Sequence, residues 1–511
     1  MATDHTLSEK IIAAVDLGSS KTSLAIARVE GNNTQVLFYK SVPSRGITYS
    51  EVMNPGQTKE VLRGLIHDAE EELHIKVRQV VVGMPRCNIH RQDAEGTLNR
   101  DRSEDCITQE EVDAIKDMAQ ASLRESVSSK ERIYGVIAQS FSTDDYFQLI
   151  ENDVVGMTGD ELTGHFKVFL GKSTPIVNLT RVFNDLGISI ARTYFTPLAT
   201  ARAVLTEEET SNGVALLDMG AGATSVSIFD KKVLVEYAAI PFGGDTISGD
   251  IHTECGISNS LADNIKKAYG GCMPERLLTL SDKIIQVETD DMSAYTQIPV
   301  RFMSQIITAR VKEIIDAMLY TIQESNLATG LRKGIVITGG GAELLNLSNY
   351  IKELSGYNVR VAYPRHGFVA TGYENILKAD AATIAGMLLL ARDENINCCL
   401  YNDDDTTVQE EAKVNADSKT KEADEPVMEK PTADETEDNA PEAEDNADVP
   451  AESDAPAETP APEEEQTKDK EPEEKEKKEQ SEPKKGFMSR LKEKFTMKIE
   501  RINDEINGKQ I

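Results

Sequence analysis

Nowhere in this chain do apolar residues run on for the roughly 20 positions that a membrane-spanning helix requires. The longest candidate, 381–391, has the length of a buried core helix. A basic stretch followed by an apolar one is also missing from Met1-Ala2-Thr3-Asp4-His5-Thr6, so no signal peptide is expected. Six cysteines, Cys87, Cys106, Cys255, Cys272, Cys398 and Cys399, show neither metal-ligand spacing nor the framework of a small secreted domain, and a reducing cytosol suits them best. Positive charge is scarce too. Lys and Arg number 55 against 87 Asp and Glu, a formal net charge of -32, which argues against nucleic-acid binding.

Apolar residues are unevenly placed. Over 401–483 the sequence is almost wholly Glu, Asp, Ala, Pro, Lys, Thr and Ser, as in Pro441-Glu442-Ala443-Glu444-Asp445-Asn446. Such a segment cannot bury enough apolar surface to offset its ordering entropy, so it reads as a disordered, self-repelling linker. Much of the negative charge sits there. The rest of a 511-residue chain, 39% hydrophobic in all, is long enough to bury a large core, with length alone suggesting about three or four domains.

What is present is glycine at three chosen places: Val15-Asp16-Leu17-Gly18-Ser19-Ser20-Lys21, Leu217-Asp218-Met219-Gly220-Ala221-Gly222-Ala223-Thr224 and Ile337-Thr338-Gly339-Gly340-Gly341-Ala342-Glu343. Each follows an apolar, β-branched run that predicts a buried strand, so each turn presents backbone N–H groups at a strand end. Asp16 and Asp218 precede the first two turns. A carboxylate there suits Mg²⁺ or its waters while the turn amides hold phosphate oxygens, and Lys21 adds a compact positive charge. Turn capping by an aspartate is the plainer alternative. Against it stands the repetition, because 11–29 and 214–235 both read as strand, Asp-x-Gly turn and strand. Two such halves closing on a cleft would grip a nucleotide's phosphates from both sides.

These three turns, in this order, resemble those of the actin, Hsp70 and sugar-kinase superfamily, and within it the FtsA-like bacterial cell-division proteins. The likeness covers roughly 10–392 and extends to Thr196-Pro197-Leu198-Ala199, Val204-Leu205-Thr206-Glu207-Glu208 and Ile240-Pro241-Phe242-Gly243-Gly244-Asp245. The helix over 381–390 resembles the superfamily's second connecting helix. The resemblance implies an α/β, actin-like ATPase fold of two duplicated lobes around a nucleotide cleft. Lobe I would take 1–82 and 165–208, with an inserted α+β subdomain at 83–164. Lobe II would take 209–245 and 335–400, with a subdomain at 246–334. In the insert, a strand over 80–84, a helix over 109–123 begun by Thr108 and a strand over 132–140 are expected.

Residue by residue, the resemblance implies that Gly18, Ser19, Ser20 and Lys21 meet the β- and γ-phosphates of ATP. Asp218, Gly220, Gly222 and Thr224 would close from the other side, with Asp16 and Asp218 on the Mg²⁺ shell. Gly243 and Gly244 would approach nearby, and Gly339, Gly340 and Gly341 would receive the adenosine. Asp263 would take the ribose hydroxyls, with Lys266 beside the base; a solvated helix face is the alternative for Lys266 and Lys267. Relatives usually carry Gly-Gly-Gly-Thr in the second turn, where this chain has Gly220, Ala221, Gly222 and Ala223. The hydroxyl is therefore lost unless Thr224 replaces it. The water-orienting group falls at Asn178, a poor general base, whereas Gln139 falls in the insert. ATP binding with weak or absent hydrolysis is expected.

Beyond the linker, 484–511 reverses the composition. Phe487, Met488, Leu491, Phe495, Ile499, Ile502 and Ile506 recur at helical spacing, with Lys484, Lys485, Arg490, Lys492, Lys494, Lys498 and Arg501 around them. That is the pattern of an in-plane helix on an anionic membrane. Docking on a partner helix is the alternative. FtsA-like proteins end in such a helix, so the resemblance implies a peripheral protein on the cytoplasmic face of the inner membrane. Its partners would be FtsZ, further copies of itself, anionic lipids and, through the insert, other division proteins. A small-molecule kinase or phosphatase and a pilus-assembly relative share the fold. An Hsp70-like chaperone is excluded by the lack of a β-rich peptide domain.

Overall fold

The computed structural model describes residues 10–124, 127–288, 295–364 and 367–401. The acidic segment beyond 401 and the basic, apolar segment 484–511 lie outside the described residues. So do Phe487, Met488, Arg490, Leu491, Lys494, Phe495, Lys498, Ile499 and Ile502, the positions expected to face a membrane. Among the described residues no helix is long and apolar enough to cross a membrane.

In the strand Lys10–Leu17 the run Ile11 to Val15 is wholly buried, so both of its faces are covered. It pairs antiparallel with Lys21–Glu30, which pairs antiparallel with Asn33–Pro43. On its other side Gln79–Gly83 runs parallel to it, Ala14 opposite Val81, and Ser189–Tyr194 runs parallel to Gln79–Gly83. The second sheet repeats this plan. Val214–Met219, Thr224–Asp230 and Val233–Ile240 form the antiparallel meander, while Ile335–Thr338 and Val359–Val361 add parallel strands on the far side. Equal order and direction in both sheets make the halves true structural repeats. The carboxyl ends of their first and fourth strands face a common cleft, where ligands of open α/β sheets bind.

Between Gln79–Gly83 and the helix Ser173–Leu186 lies a separate three-stranded sheet, Ile89–Asn99, Glu161–Lys172 and Glu131–Thr143, with Glu161–Lys172 central. The helix Gln109–Arg124 packs on it. Thr108 starts that helix with a reciprocal cap: its Oγ1 accepts from Glu111 N at 3.3 Å and its N–H donates to Glu111 Oε2 at 2.8 Å. Ile115, Phe141, Leu162 and Phe166 form a core of its own, and the rings of Phe141 and Phe166 meet edge-on at 5.8 Å. Two expectations need correction. The central strand runs to Lys172, past the expected boundary at 164, and the strand expected at 80–84 belongs to the lobe I sheet, since Val80, Val81 and Val82 are all buried there. The insert leans on lobe II: Lys167 Nζ donates to the Val235 carbonyl at 2.5 Å, Gln139 Nε2 donates to that of Leu234 at 3.0 Å, and Arg91 pairs with Glu236.

Lobe II carries the helices Gly244–Cys255 and Asn259–Tyr269, the hairpin Ile284–Glu288 with Tyr295–Pro299, and the helix Val300–Glu324. After residue 367 the chain does not stay in lobe II, as the boundary 335–400 had it. Phe368–Val369 joins the lobe I sheet beside Asn33–Pro43, and Cys399–Tyr401 pairs with Ile75–Val77. Between them the helix Ala382–Asp393, buried on nearly every side, packs on Thr196–Val204 and on the first strand. Such an apolar cylinder finds enough cover only where two elements enclose it.

Candidate functional site

The two aspartate turns are built alike. Asp16 lies opposite Ser23 in the first hairpin and Asp218 opposite Ser225 in the second. Gly18 N donates to the Lys21 carbonyl at 3.1 Å, and Gly220 N to the Ala223 carbonyl at 2.9 Å. The turns meet across the cleft, because a methyl group on Gly222 would stand 2.4 Å from Ser19 Oγ. The third turn is fixed to the crossing helix: Gly339 N donates to the Ala379 carbonyl at 3.1 Å, and Thr338 Oγ1 to the same oxygen at 3.2 Å.

These turns surround a cavity of about 490 Å³, within the range that holds a nucleotide-sized ligand. Asp16, Gly18, Ser19, Ser20 and Lys21 line it from lobe I, and Asp218, Gly220, Gly244, Asp263, Lys266, Gly339, Gly340 and Gly341 from lobe II. Four residues expected there do not line it. Thr224 is fully buried in its strand, its hydroxyl without a partner, so it cannot replace the missing threonine of the second turn. Gly222 is spent on the contact with Ser19. Gly243 packs behind the second turn, where Gly244 N and Asp245 N donate to the Gly220 and Ala221 carbonyls at 3.0 and 2.9 Å. Asn178, expected to orient water, instead donates through Nδ2 to the Val52 carbonyl at 2.8 Å and anchors the helix Ser173–Leu186.

Ion pairs organise the polar floor. Lys21 Nζ lies 2.6 Å from Asp380 Oδ2, while Asp380 Oδ1 is buried without a partner. Arg86 Nη1 pairs with Asp218 Oδ2, and its Nη2 donates to Thr383 Oγ1 at 2.5 Å. Burial pushes the Asp16 carboxyl up, against the lowering fields of Arg86 and Lys21. At the other end Lys266 Nζ donates to the Gly244 carbonyl at 2.7 Å and Ser248 Oγ at 2.8 Å, and pairs with Asp263 at 2.8 Å. Burial acts to raise Asp263, but its bonds to Lys266 and Lys267 hold it down to about 2. Lys266 is therefore saturated by the protein and positions Asp263 rather than a base.

Arg86 and Asp380 were missed from the sequence. Neither belongs to a glycine turn: Arg86 follows the parallel strand Gln79–Gly83, and Asp380 precedes the crossing helix. The usable signal was positional, since a residue just past a strand parallel to Lys10–Leu17 emerges at the same sheet edge as Asp16.

A family model described as Cell division protein FtsA matches residues 215–386, the span that holds the second and third turns. Relatives named Cell division protein FtsA include that of Enterococcus hirae, 26% identical over 352 residues, covering 68% of this chain and 77% of that protein. That of Bacillus subtilis strain 168 is 27% identical over 360 residues, covering 70% and 79%. The chain is thus similar to the FtsA cell-division proteins over about two thirds of its length. Among solved structures, the PilM-PilN type IV pilus biogenesis complex is similar with a TM-score of 0.53 at 13% identity, over 75% of this chain and 98% of that one, a likeness of fold alone. The chain thus has the actin-like ATPase fold that its glycine turns led one to expect.

Proposed function

We propose that this chain, like the FtsA proteins it resembles, binds ATP in the cleft, assembles into filaments on the cytoplasmic face of the membrane and ties the FtsZ ring to it through a C-terminal amphipathic helix. One observation carries the reading: two equivalent Asp-x-Gly turns and a triple-glycine turn face one cavity in a chain similar to cell-division proteins. The amides of Ser19 and Ser20, with Lys21, suit the β- and γ-phosphates above Gly18; Gly220 closes from lobe II, and Gly339 to Gly341 leave room for the adenosine beside Asp263. Mg²⁺ fits less well. Asp218 Oδ2, an oxygen of one of its two expected carboxylates, is held by Arg86. With Asn178 bound to Val52, the expected water-orienting group is elsewhere, which supports slow hydrolysis at most.

The reading places self-assembly along the filament, other division proteins at the inserted subdomain and anionic lipids at 484–511. Electron microscopy on an anionic lipid monolayer with ATP tests it. Membrane-bound filaments that recruit FtsZ are the expected result. Bare monolayers, with rapid ATP turnover onto a small acceptor, would point to a small-molecule kinase instead.

A further inference from the structure

The equivalent strand ends bring two carboxylates toward one place, and the chain supplies its own cation there. Arg86 enters from lobe I and pairs with Asp218 of lobe II, both side chains nearly buried, at 14% and 10% exposure. Its second nitrogen donates to Thr383 Oγ1 on the crossing helix at 2.5 Å, and Thr383 is itself 2.9 Å from Thr200 Oγ1. The backbone is pinned as well, since the Tyr237 hydroxyl donates to the Arg86 carbonyl at 2.8 Å. The Arg86 charge also acts on Asp16, the second carboxylate.

We infer that Arg86 is the resident counter-cation of this cleft and that the nucleotide binds without a divalent metal. A guanidinium keeps its charge at every physiological pH and offers five N–H donors in a rigid fork. Two of these serve Asp218 and Thr383, which leaves others on the same fork for a phosphate oxygen. A magnesium ion would demand a near-octahedral oxygen shell. Asp218 Oδ2, an oxygen of one of the two expected carboxylates, is already taken by Arg86, and withdrawing it would strand a buried guanidinium without its partner. The pair also joins the two lobes directly, so the closed cleft is held by protein charge on both sides.

This inference rests on reading the cleft as a nucleotide site, and the experiment separates the two. Full-length protein is titrated with ATP carrying a fluorescent N-methylanthraniloyl group, once with excess Mg²⁺ and once with EDTA. The two affinities are expected to agree within about threefold, and Arg86→Ala, checked for folding by circular dichroism, to lose about tenfold or more in EDTA and recover with Mg²⁺. Should Arg86→Ala not fold, Arg86→Lys takes its place, and the same response to Mg²⁺, smaller in size, is expected. A drop of about tenfold in EDTA for the unmodified chain, or a variant indifferent to metal, overturns the counter-cation role while leaving the nucleotide site standing. Absence of binding in both buffers overturns the site itself and this inference with it.

Discussion

Lys21 stands between a protein carboxylate and the place proposed for the phosphates. Its ammonium lies 2.6 Å from Asp380, whose other oxygen is buried without a partner. Hydrogen bonds to charged groups contribute about 1.5–3 kcal/mol, so Lys21→Met is expected to weaken ATP binding by about 10- to 100-fold in calorimetric titration. Adding Asp380→Asn should restore part of that loss, because it removes the unpaired carboxylate facing the phosphates; a double variant as weak as the single would deny Asp380 that influence. Asp263 carries a second prediction. Its folded value of about 2 lies below that of an unfolded aspartate, so its stabilisation is present above about pH 4 and is lost as pH falls through about 2. Asp263→Asn should cost no more than about 1 kcal/mol at pH 7, the pairs being partly exposed, and the deficit should close by about pH 2 in urea titrations. The chemistry of these residues was unequally legible in the sequence. Asp16, Gly18 and Lys21 sit in a contiguous turn after a strong strand signal. Arg86 and Asp380 acquire their place only when a parallel strand and a crossing helix bring them to the same edge, a relation that local sequence does not encode.

Strands and helices were legible wherever burial imposed a pattern: Val15-Asp16 and Leu217-Asp218 end fully apolar runs, and Thr108 and Glu111 announce the helix Gln109–Arg124 through their reciprocal cap. Allegiance between elements was harder to read. The helix Ala382–Asp393 is apolar on nearly every face, so periodicity gives no direction for its packing, and nothing in it tells which lobe it covers. Its position depends on one close crossing. A methyl group on Gly386 would stand 1.7 Å from the Ala199 carbonyl oxygen, with backbone on both sides of the contact. Gly386→Ala is therefore expected to destabilise the protein by about 1–3 kcal/mol or more, because the two helices must separate. Gly64, inside the helix Pro55–Leu73, has nothing within 4 Å of an added methyl. There the same substitution should stabilise by about 0.5–1 kcal/mol through reduced backbone entropy. Thermal melts of the two variants should move in opposite directions; a neutral Gly386→Ala would mean that the two helices part at little cost.

At the scale of the whole molecule, the division of labour follows from charge. The described residues, 10–401, belong to one compact unit that contains the cleft, whereas the sequence that follows is polar and strongly acidic until the basic stretch beginning at Lys484. An acidic linker is repelled by an anionic bilayer, so under the proposed reading adhesion would fall to the 28 positions 484–511. Each lysine or arginine near such a surface contributes on the order of 1 kcal/mol, and the apolar stripe from Phe487 to Ile502 adds burial at the acyl boundary. A single anchor of this kind binds reversibly. A filament carrying many of them gains avidity, so attachment should depend on assembly as well as on lipid. With vesicles of phosphatidylglycerol and phosphatidylcholine, co-sedimentation of the full chain is expected to rise with the anionic fraction, rise again with ATP and fall as salt screens the basic residues. Removal of 484–511 should abolish it while leaving ATP affinity unchanged. Replacement of Phe487, Leu491 and Phe495 by Ser should abolish it too, although every positive charge remains, because headgroup attraction without insertion gives only a loose, salt-labile layer. Retention of the truncated chain on vesicles would move the membrane contact into the compact unit, and retention of the serine variant would make it purely electrostatic.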